Sequence, residues 1–333
     1  MHMADALIAP AVAGTMYACS TLAAGYSIKK VRQEDDPKKI PVMGVMGAFV
    51  FATQMINFTI PGTGSSGHLC GGMLLSAMLG PFAGFLTMIA VLFIQCLMFA
   101  DGGILALGCN VWNMAFYGCF LGSLLVWKPF MKNGASKAKI IAASIIGCVL
   151  TLQLGAFSVV LETTASGISE LPFSVFIAAM QPIHLAIGTV EGLITAAVLV
   201  FVYETRPELL WGVNEHKEAK LSFKKTIIIL AVVAAFIAGL LSLFASEYPD
   251  GLEWSIERLT GSTELEAAGG IYDTLANAQD TIAILPDYAF KNSDSALGTS
   301  FSGIVGALVV VILCFLCSYA FKYFKNNKKK TSS

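Results

Sequence analysis

The first two residues of the chain carry nitrogen donors at a spacing that can chelate a metal ion. The free amine of Met1, the backbone amide of residue 2 and the imidazole of His2 would close fused five- and six-membered rings on one ion. Such rings favour ions that take square-planar nitrogen coordination, such as Ni(II) or Cu(II). The simpler alternative is that His2 is an exposed terminal residue without a metal.

A fourth nitrogen is available from His68, which lies in a stretch rich in glycines and hydroxyls, Asn57-Phe-Thr-Ile-Pro-Gly-Thr-Gly-Ser-Ser-Gly-His-Leu-Cys-Gly-Gly72. Its glycines and its proline favour turns over helix. At membrane depth, backbone that is not helical survives only where protein buries it or where it lines a polar cavity. The stretch is therefore predicted to be a loop that builds a site and holds His68. A capping or hydrogen-bonding role for His68 remains an alternative. The side chains predicted to orient the imidazoles are Asn57, Ser65, Ser66 and Asn110.

Two more ionisable residues, His184 and Glu191, are seven positions apart on one face of a predicted helix, below a kink at Pro182. Ionisable groups inside a membrane face the interior of the helix bundle and commonly mark function. The alternative is a hydrogen-bonded pair that locks two helices together. The sequence leaves both interpretations open.

Composition excludes an ordinary soluble domain. Hydrophobic residues make up 56% of the chain and charged residues 13%, with a mean hydropathy of +0.72, whereas a soluble domain has about 25% charged residues. We therefore predict an all-α polytopic membrane protein. The lipid bilayer is an expected partner, and a nucleic acid is not.

The basic segments set the predicted topology, because such segments stay in the cytoplasm. Residues 29–39, 128–139 and 322–330 are cytoplasmic if the N-terminus is external, the C-terminus is cytoplasmic and the apolar run 73–100 is split at Gly80-Pro81. Residues 68–79 then form a short inward helix of roughly 18 Å. The other predicted spans are 6–28, 40–58, 81–99, 108–127, 140–163, 173–203, 226–244 and 304–321.

A charged connector divides the predicted chain into two modules. Residues 1–205 form a bundle of seven segments, residues 206–225 a cytoplasmic linker, and residues 226–333 a two-helix module whose external loop covers 245–300. No signal peptide is predicted, so we expect Met1 to begin the mature protein.

The sequence contains neither a phosphate-binding Gly-x-x-x-x-Gly-Lys-Ser/Thr loop nor a Ser-His-Asp arrangement in a soluble domain. We therefore expect no enzyme activity on this chain. If transport is driven by ATP, another subunit must hydrolyse it.

Four separated motifs resemble the CbiM/NikM membrane subunits of energy-coupling-factor transporters for cobalt and nickel. The motifs are Met1-His-Met-Ala-Asp-Ala-Leu-Ile-Ala-Pro10, 57–68, Gly108-Cys-Asn-Val-Trp-Asn-Met114 and Pro182-Ile-His-Leu-Ala-Ile-Gly-Thr-Val-Glu-Gly-Leu-Ile194. The second module is similar to their two-helix partner CbiN or NikN, through Tyr248-Pro-Asp-Gly-Leu-Glu253 and Pro286-Asp-Tyr288.

The resemblance implies capture of Co(II) or Ni(II) from outside by the Met1 amine, the amide and imidazole of His2, and the imidazole of His68. The ion is cargo, no permanent cofactor is expected, and the implied location is the cell membrane of a prokaryote. The implied partners are a transmembrane coupling subunit, called the T component, and ATP-binding cassette subunits on separate chains.

Many members of the family read Met-His-Ile-Pro/Met-Asp/Glu-Gly at the start, whereas this chain has Met3-Ala4-Asp5-Ala6, which leaves its preference between the two metals open. The alternatives are a membrane subunit that binds an organic micronutrient and a metal-sensing protein that transports nothing.

Overall fold

The computed structural model describes residues 1–34, 39–214, 219–263, 265–267, 269–293 and 295–331, and the regular secondary structure within them is helical apart from one short hairpin. The helices are α1 (Pro10–Glu34), α2 (Lys39–Gln54), α3 (Gly72–Leu79), α4 (Pro81–Phe99), α5 (Leu107–Met131), α6 (Lys137–Ser166), α7 (Phe173–Thr205), α8 (Phe223–Gly239), α9 (Gly251–Thr260), α10 (Ile271–Ile282) and α11 (Ala296–Thr331). Short 3₁₀ turns occupy Asp5–Leu7, Pro207–Leu209, Leu241–Phe244 and Pro286–Tyr288. The hairpin pairs β1 (Phe58–Ile60) antiparallel with β2 (Ser65–Gly67). The predicted all-α class is confirmed.

Five helices of the described residues have the length and hydropathy to cross a membrane: α4, α5, α6, α7 and the Leu297–Cys317 part of α11. The chain is therefore a multi-pass membrane protein. Helix α1 has the length but not the hydropathy of these five, and α2 is apolar but shorter. The direction in which the helices cross the membrane stays a prediction.

Helices α6 and α7 pack closely along each other because α7 presents two glycines four residues apart. A Cβ atom on Gly192 would lie 2.6 Å from the Cα atom of Ile145, and one on Gly188 would lie 3.0 Å from the Cα atom of Val149. Small residues at this spacing let membrane helices approach closely. The contact fixes the rotation of α7 and turns Glu191 into the interior, where it is 1% exposed.

The predicted break after Leu79 is present, but the short helix before it is shorter than expected. Helix α3 begins at Gly72 instead of residue 68 and has eight residues, which is about 12 Å. Gly71 precedes it with a φ of +82°, and a Cβ there would lie 2.4 Å from a methyl carbon of Val50. Because only glycine fits this turn, the residues before it, including His68, stay outside the helix.

The second module differs from its prediction in three ways. The predicted external loop 245–300 contains two helices, α9 and α10; α8 ends at Gly239, before the expected residue 244; and α11 begins before the expected residue 304. Helices α8 and α11 pack against α2 and against each other. The predicted boundaries of the two modules and the linker stay predictions. Residues 35–38 of the first basic loop and 215–218 of the connector lie outside the described residues.

Candidate metal centre

The N-terminal segment is buried in the bundle. The side chain of Met3 is fully buried, and that of Met1 is 6% exposed. Asn110 clamps the segment from α5, since its Oδ1 accepts from the Met3 amide at 2.7 Å and its Nδ2 donates to the Met3 carbonyl at 3.1 Å. The Gly103 amide donates to the same carbonyl at 3.0 Å. These bonds fix the position of the terminal amine.

The loop that carries His68 is fixed by Glu191 of α7. His68 follows β2 directly, and the amides of Cys70 and Gly71 just after it donate to the two carboxylate oxygens of Glu191, both at 2.9 Å. Backbone that is not helical and lies inside a membrane bundle needs such partners. Glu191 therefore satisfies the backbone of the site loop.

Met1, His2 and His68 meet in one place. The Met1 amine donates to Nε2 of His68 at 2.8 Å, and the rings of His2 and His68 are stacked with centroids 5.2 Å apart and 20° between their planes. Nδ1 of His68 donates its proton to the Leu69 carbonyl at 3.0 Å. That bond fixes the tautomer and leaves the lone pair on Nε2, which is the form that binds a metal ion.

The imidazole of His2 is neutral, and each of its two ring nitrogens lies next to a polar side chain. Burial lowers its pKa from 6.5 to about 4, although the nearby Asp101 carboxylate opposes this shift. Nδ1 of His2 lies 3.0 Å from Oδ1 of Asp101, and Nε2 lies 3.3 Å from Oε1 of Gln95. Tyr288 donates its hydroxyl to Asp101 at 2.5 Å and holds that carboxylate in place. Since Nδ1 is the atom that would close the six-membered chelate ring, the ring must turn away from Asp101 to bind an ion.

A residue that the sequence reasoning missed, Asp250 of the second module, also reaches the amine. Its Oδ2 lies 2.5 Å from the Met1 nitrogen and 3.6 Å from Nε2 of His68. Its Oδ1 caps α9 by accepting from the amides of Leu252 and Glu253 at 2.8 and 3.0 Å. Burial raises the pKa of Asp250, but the terminal ammonium and then His68 lower it more, so that it lies well below 3.8. The carboxylate is therefore ionised beside the amine.

Residues 248–254, which form the tip of the second module, are hydrogen-bonded to the hairpin. Ser66 donates its amide to the Pro249 carbonyl at 2.8 Å and its hydroxyl to the Tyr248 carbonyl at 2.7 Å. The indole of Trp254 donates to the Thr63 carbonyl at 3.0 Å. These contacts place Asp250 over the site.

The four predicted orienting residues have other partners than the imidazoles. Asn110 binds the N-terminal segment, Ser66 binds the second module, and the hydroxyl of Ser65 donates to the backbone of Ser66 and Pro249. The carbonyl of Asn57 accepts from the Ser246 amide at 2.7 Å. The polar loop is thus used for docking, because an imidazole of this site finds a partner in a backbone carbonyl or in Asp101.

His184 and Glu191, which were predicted as a pair, bond to different partners. Nδ1 of His184 donates to the Met180 carbonyl one turn earlier at 2.8 Å, while Glu191 holds the site loop. His184 lines a cavity of about 10 Å³ together with Met1, His68 and Asp250. Space of this size holds about one water-sized species. The imidazole of His184 therefore forms part of the wall beside the amine.

The arrangement is rich in nitrogen donors. Across the described ranges, no cluster of three or more His, Cys, Asp or Glu side chains is placed to hold a metal ion. The donors here instead combine the backbone nitrogens of residues 1 and 2 with two imidazoles. Such a set suits late transition ions and disfavours Ca²⁺ and Mg²⁺, which prefer oxygen ligands.

The known proteins that resemble this chain are named as nickel or cobalt transport proteins. Residues 2–209 match the family described as the cobalt uptake substrate-specific transmembrane region, CbiM, and residues 224–323 match the PDGLE domain. A putative fused nickel transport protein from Archaeoglobus fulgidus is 37% identical over 96% of this chain and 99% of its own length. A probable fused nickel transport protein from Lactiplantibacillus plantarum is 27% identical over 94% of this chain and 96% of its own. A cobalt transport protein from Geobacter sulfurreducens is 25% identical over 82% of both chains.

A crystal structure of a truncated transition metal transporter superposes with a TM-score of 0.54 at 31% identity, covering 61% of this chain and 99% of that one. Both modules thus have counterparts in metal transport proteins. The chain belongs to the CbiM family of cobalt uptake substrate-specific transmembrane proteins and carries a PDGLE domain in the same polypeptide.

Proposed function

We propose that this chain captures Ni(II) or Co(II) as cargo and is the metal-binding membrane subunit of an energy-coupling-factor importer. The observation that carries the proposal is the 2.8 Å contact between the Met1 amine and Nε2 of His68, with the His2 ring stacked alongside. All the donors of the predicted chelate are present within one buried site.

The chemistry follows from replacing protons by the ion. As the ion enters, the terminal ammonium and the residue 2 amide each release a proton to water, and the lone pair of His68 Nε2 is already directed at the amine. Deprotonating an amide requires a strongly Lewis-acidic ion and a site shielded from competing water. Burial of Met1 and Met3 supplies that shield. The His2 ring then turns from Asp101 with its proton on Nε2, so that the lone pair of Nδ1 completes the chelate.

Transport requires partners in this proposal. ATP hydrolysis belongs to separate ATP-binding cassette subunits, and a T component couples them to this chain. The N-terminus faces outward, so that the site captures the ion from outside, and the C-terminus faces the cytoplasm. The basic segments 29–39, 128–139 and 322–330 support this orientation through the positive-inside rule.

An organic micronutrient is a poorer cargo for this site. Pockets for small organic molecules have volumes of about 300–1,000 Å³, whereas the cavity beside Met1, His68 and His184 has about 10 Å³. The size favours a single ion.

The test is uptake of radioactive nickel and cobalt by cells that lack their own uptake system and express this chain with its coupling subunits. We expect His2→Ala to abolish uptake at an unchanged amount of protein in the membrane, because it removes one ring of the chelate. His216→Ala, in the connector, is the matched control and should transport normally. Uptake at the normal rate by His2→Ala would refute the proposal, and the ratio of the two metals in the unaltered chain measures the preference.

A further inference from the structure

We propose that Asp250 is a further ligand of the transported ion, so that the second module contributes an oxygen donor to the site. This inference rests on the proposed function but concerns a residue outside the N-terminal chelate. It begins from a triangle of three atoms, namely the Met1 nitrogen, Nε2 of His68 and Oδ2 of Asp250.

The dimensions of this triangle match neighbouring donors on one ion. Its sides are 2.5 Å from the amine to Oδ2, 2.8 Å from the amine to Nε2, and 3.6 Å from Nε2 to Oδ2. Donors bound at about 2.0–2.2 Å and at right angles to each other stand about 3 Å apart. The circle through the three atoms has a radius of about 1.8 Å, which is shorter than these bond lengths, so one ion that replaces the ammonium protons can stand at about 2.0–2.2 Å from all three atoms.

The carboxylate is held ready for this role. Oδ1 is used by the cap of α9, which leaves Oδ2 facing the amine. The tip that carries Asp250 is fixed to the hairpin by both polar groups of Ser66. Behind the tip, Gly251 lies against His184, where a Cβ would come within 3.0 Å of the ring. The close approach of the tip therefore depends on a glycine next to Asp250.

Charge gives a physical reason for an oxygen donor here. A divalent ion with one deprotonated amide keeps one positive charge, and burying an unpaired charge is costly. The Asp250 carboxylate, which is 13% exposed, makes the buried complex neutral. A fifth donor also moves Ni(II) away from four-coordinate planar geometry, which changes its magnetism from diamagnetic to paramagnetic.

The experiment measures Ni(II) binding by the purified full chain and compares Asp250→Asn with Glu253→Gln. Asparagine caps a helix as well as aspartate does, so Asp250→Asn removes the charge and keeps α9. Glutamine likewise serves in a capping box, so Glu253→Gln removes a nearby charge without touching the triangle. We expect Asp250→Asn to weaken Ni(II) binding on the order of 100-fold, and Glu253→Gln to leave it unchanged.

X-ray absorption and magnetic susceptibility of the nickel-loaded unaltered chain give a readout that needs no variant. Five or more light-atom donors and a paramagnetic ion support the inference. Four-coordinate diamagnetic nickel, or equal affinity in Asp250→Asn and the unaltered chain, would overturn it while the proposed function stands. An unaltered chain that binds neither nickel nor cobalt would overturn the proposed function, and this inference with it.

Discussion

Adding one glycine in front of Met1 tests the site most directly, because it moves the terminal amine without changing any side chain. A residue extends the chain by about 3.3–3.6 Å, whereas the cavity beside the amine has about 10 Å³, room for about one water molecule. The added residue cannot fit while Met1 stays in place. The original amine also becomes an amide, so both a metal donor and a positive charge leave the site.

The magnitude follows from the ion pair that is broken. The Met1 amine and Asp250 are 2.5 Å apart and 6% and 13% exposed. Removing one partner of a buried ion pair costs about 3–5 kcal/mol, because the other charge is left uncompensated. We therefore expect the extension to lower the free energy of unfolding by about that amount and to abolish Ni(II) uptake.

The assay is chemical unfolding in detergent micelles, paired with uptake of radioactive nickel by cells that also express the coupling subunits. Asp250→Asn removes the stranded charge, so the extension should cost much less stability in that background than in the unaltered one. Nickel uptake should stay absent in the extended double variant. The same glycine added after Ser333 is the control. Nickel uptake that survives the N-terminal extension, or an equal stability cost in both backgrounds, would refute the reasoning.

Two further predictions concern the carboxylates. The pKa of Asp250 lies below 3.8, so its stabilising ion pair is present above that value and is lost as the pH falls through the folded-state pKa. The difference in melting temperature between the unaltered chain and Asp250→Asn should therefore stay constant from about pH 7 to pH 5 and shrink at lower pH; a difference that vanishes by pH 5 contradicts it. Glu191→Gln replaces an acceptor of the Cys70 or Gly71 amide by an NH₂ group. It should weaken Ni(II) binding by about tenfold through the loop of His68, measured by dialysis with Glu204→Gln, near the C-terminal end of the same helix, as the control; an unchanged affinity would show that the loop keeps its shape without Glu191.

The parts of the site that could be predicted from sequence are those whose chemistry is local. The spacing of Met1 and His2 is a property of two adjacent residues, and the glycines around His68 mark a backbone that leaves the helix. Their meeting could be inferred because both ends lie on the same side of the predicted membrane. The structure places them within hydrogen-bonding distance.

The contribution of Asp250 could not be predicted in the same way. The pattern of Asp250 with Glu253 three residues later is a capping box and signals the start of α9. It does not signal a contact with an amine 249 positions earlier, since that contact depends on how the tip docks on β2. Glu191 shows the same limit, because helical spacing placed it on the face of His184 but did not reveal that loop amides would be its partners.

Fusion of the two modules has a kinetic consequence for the amine. Because Asp250 and Met1 belong to one polypeptide, their encounter is a folding event whose rate does not depend on protein concentration, and the tether gives a local concentration on the order of millimolar. Dilution in the membrane therefore cannot leave the terminal nitrogen without its anion, and one carboxylate accompanies each cargo site at a fixed ratio of one to one.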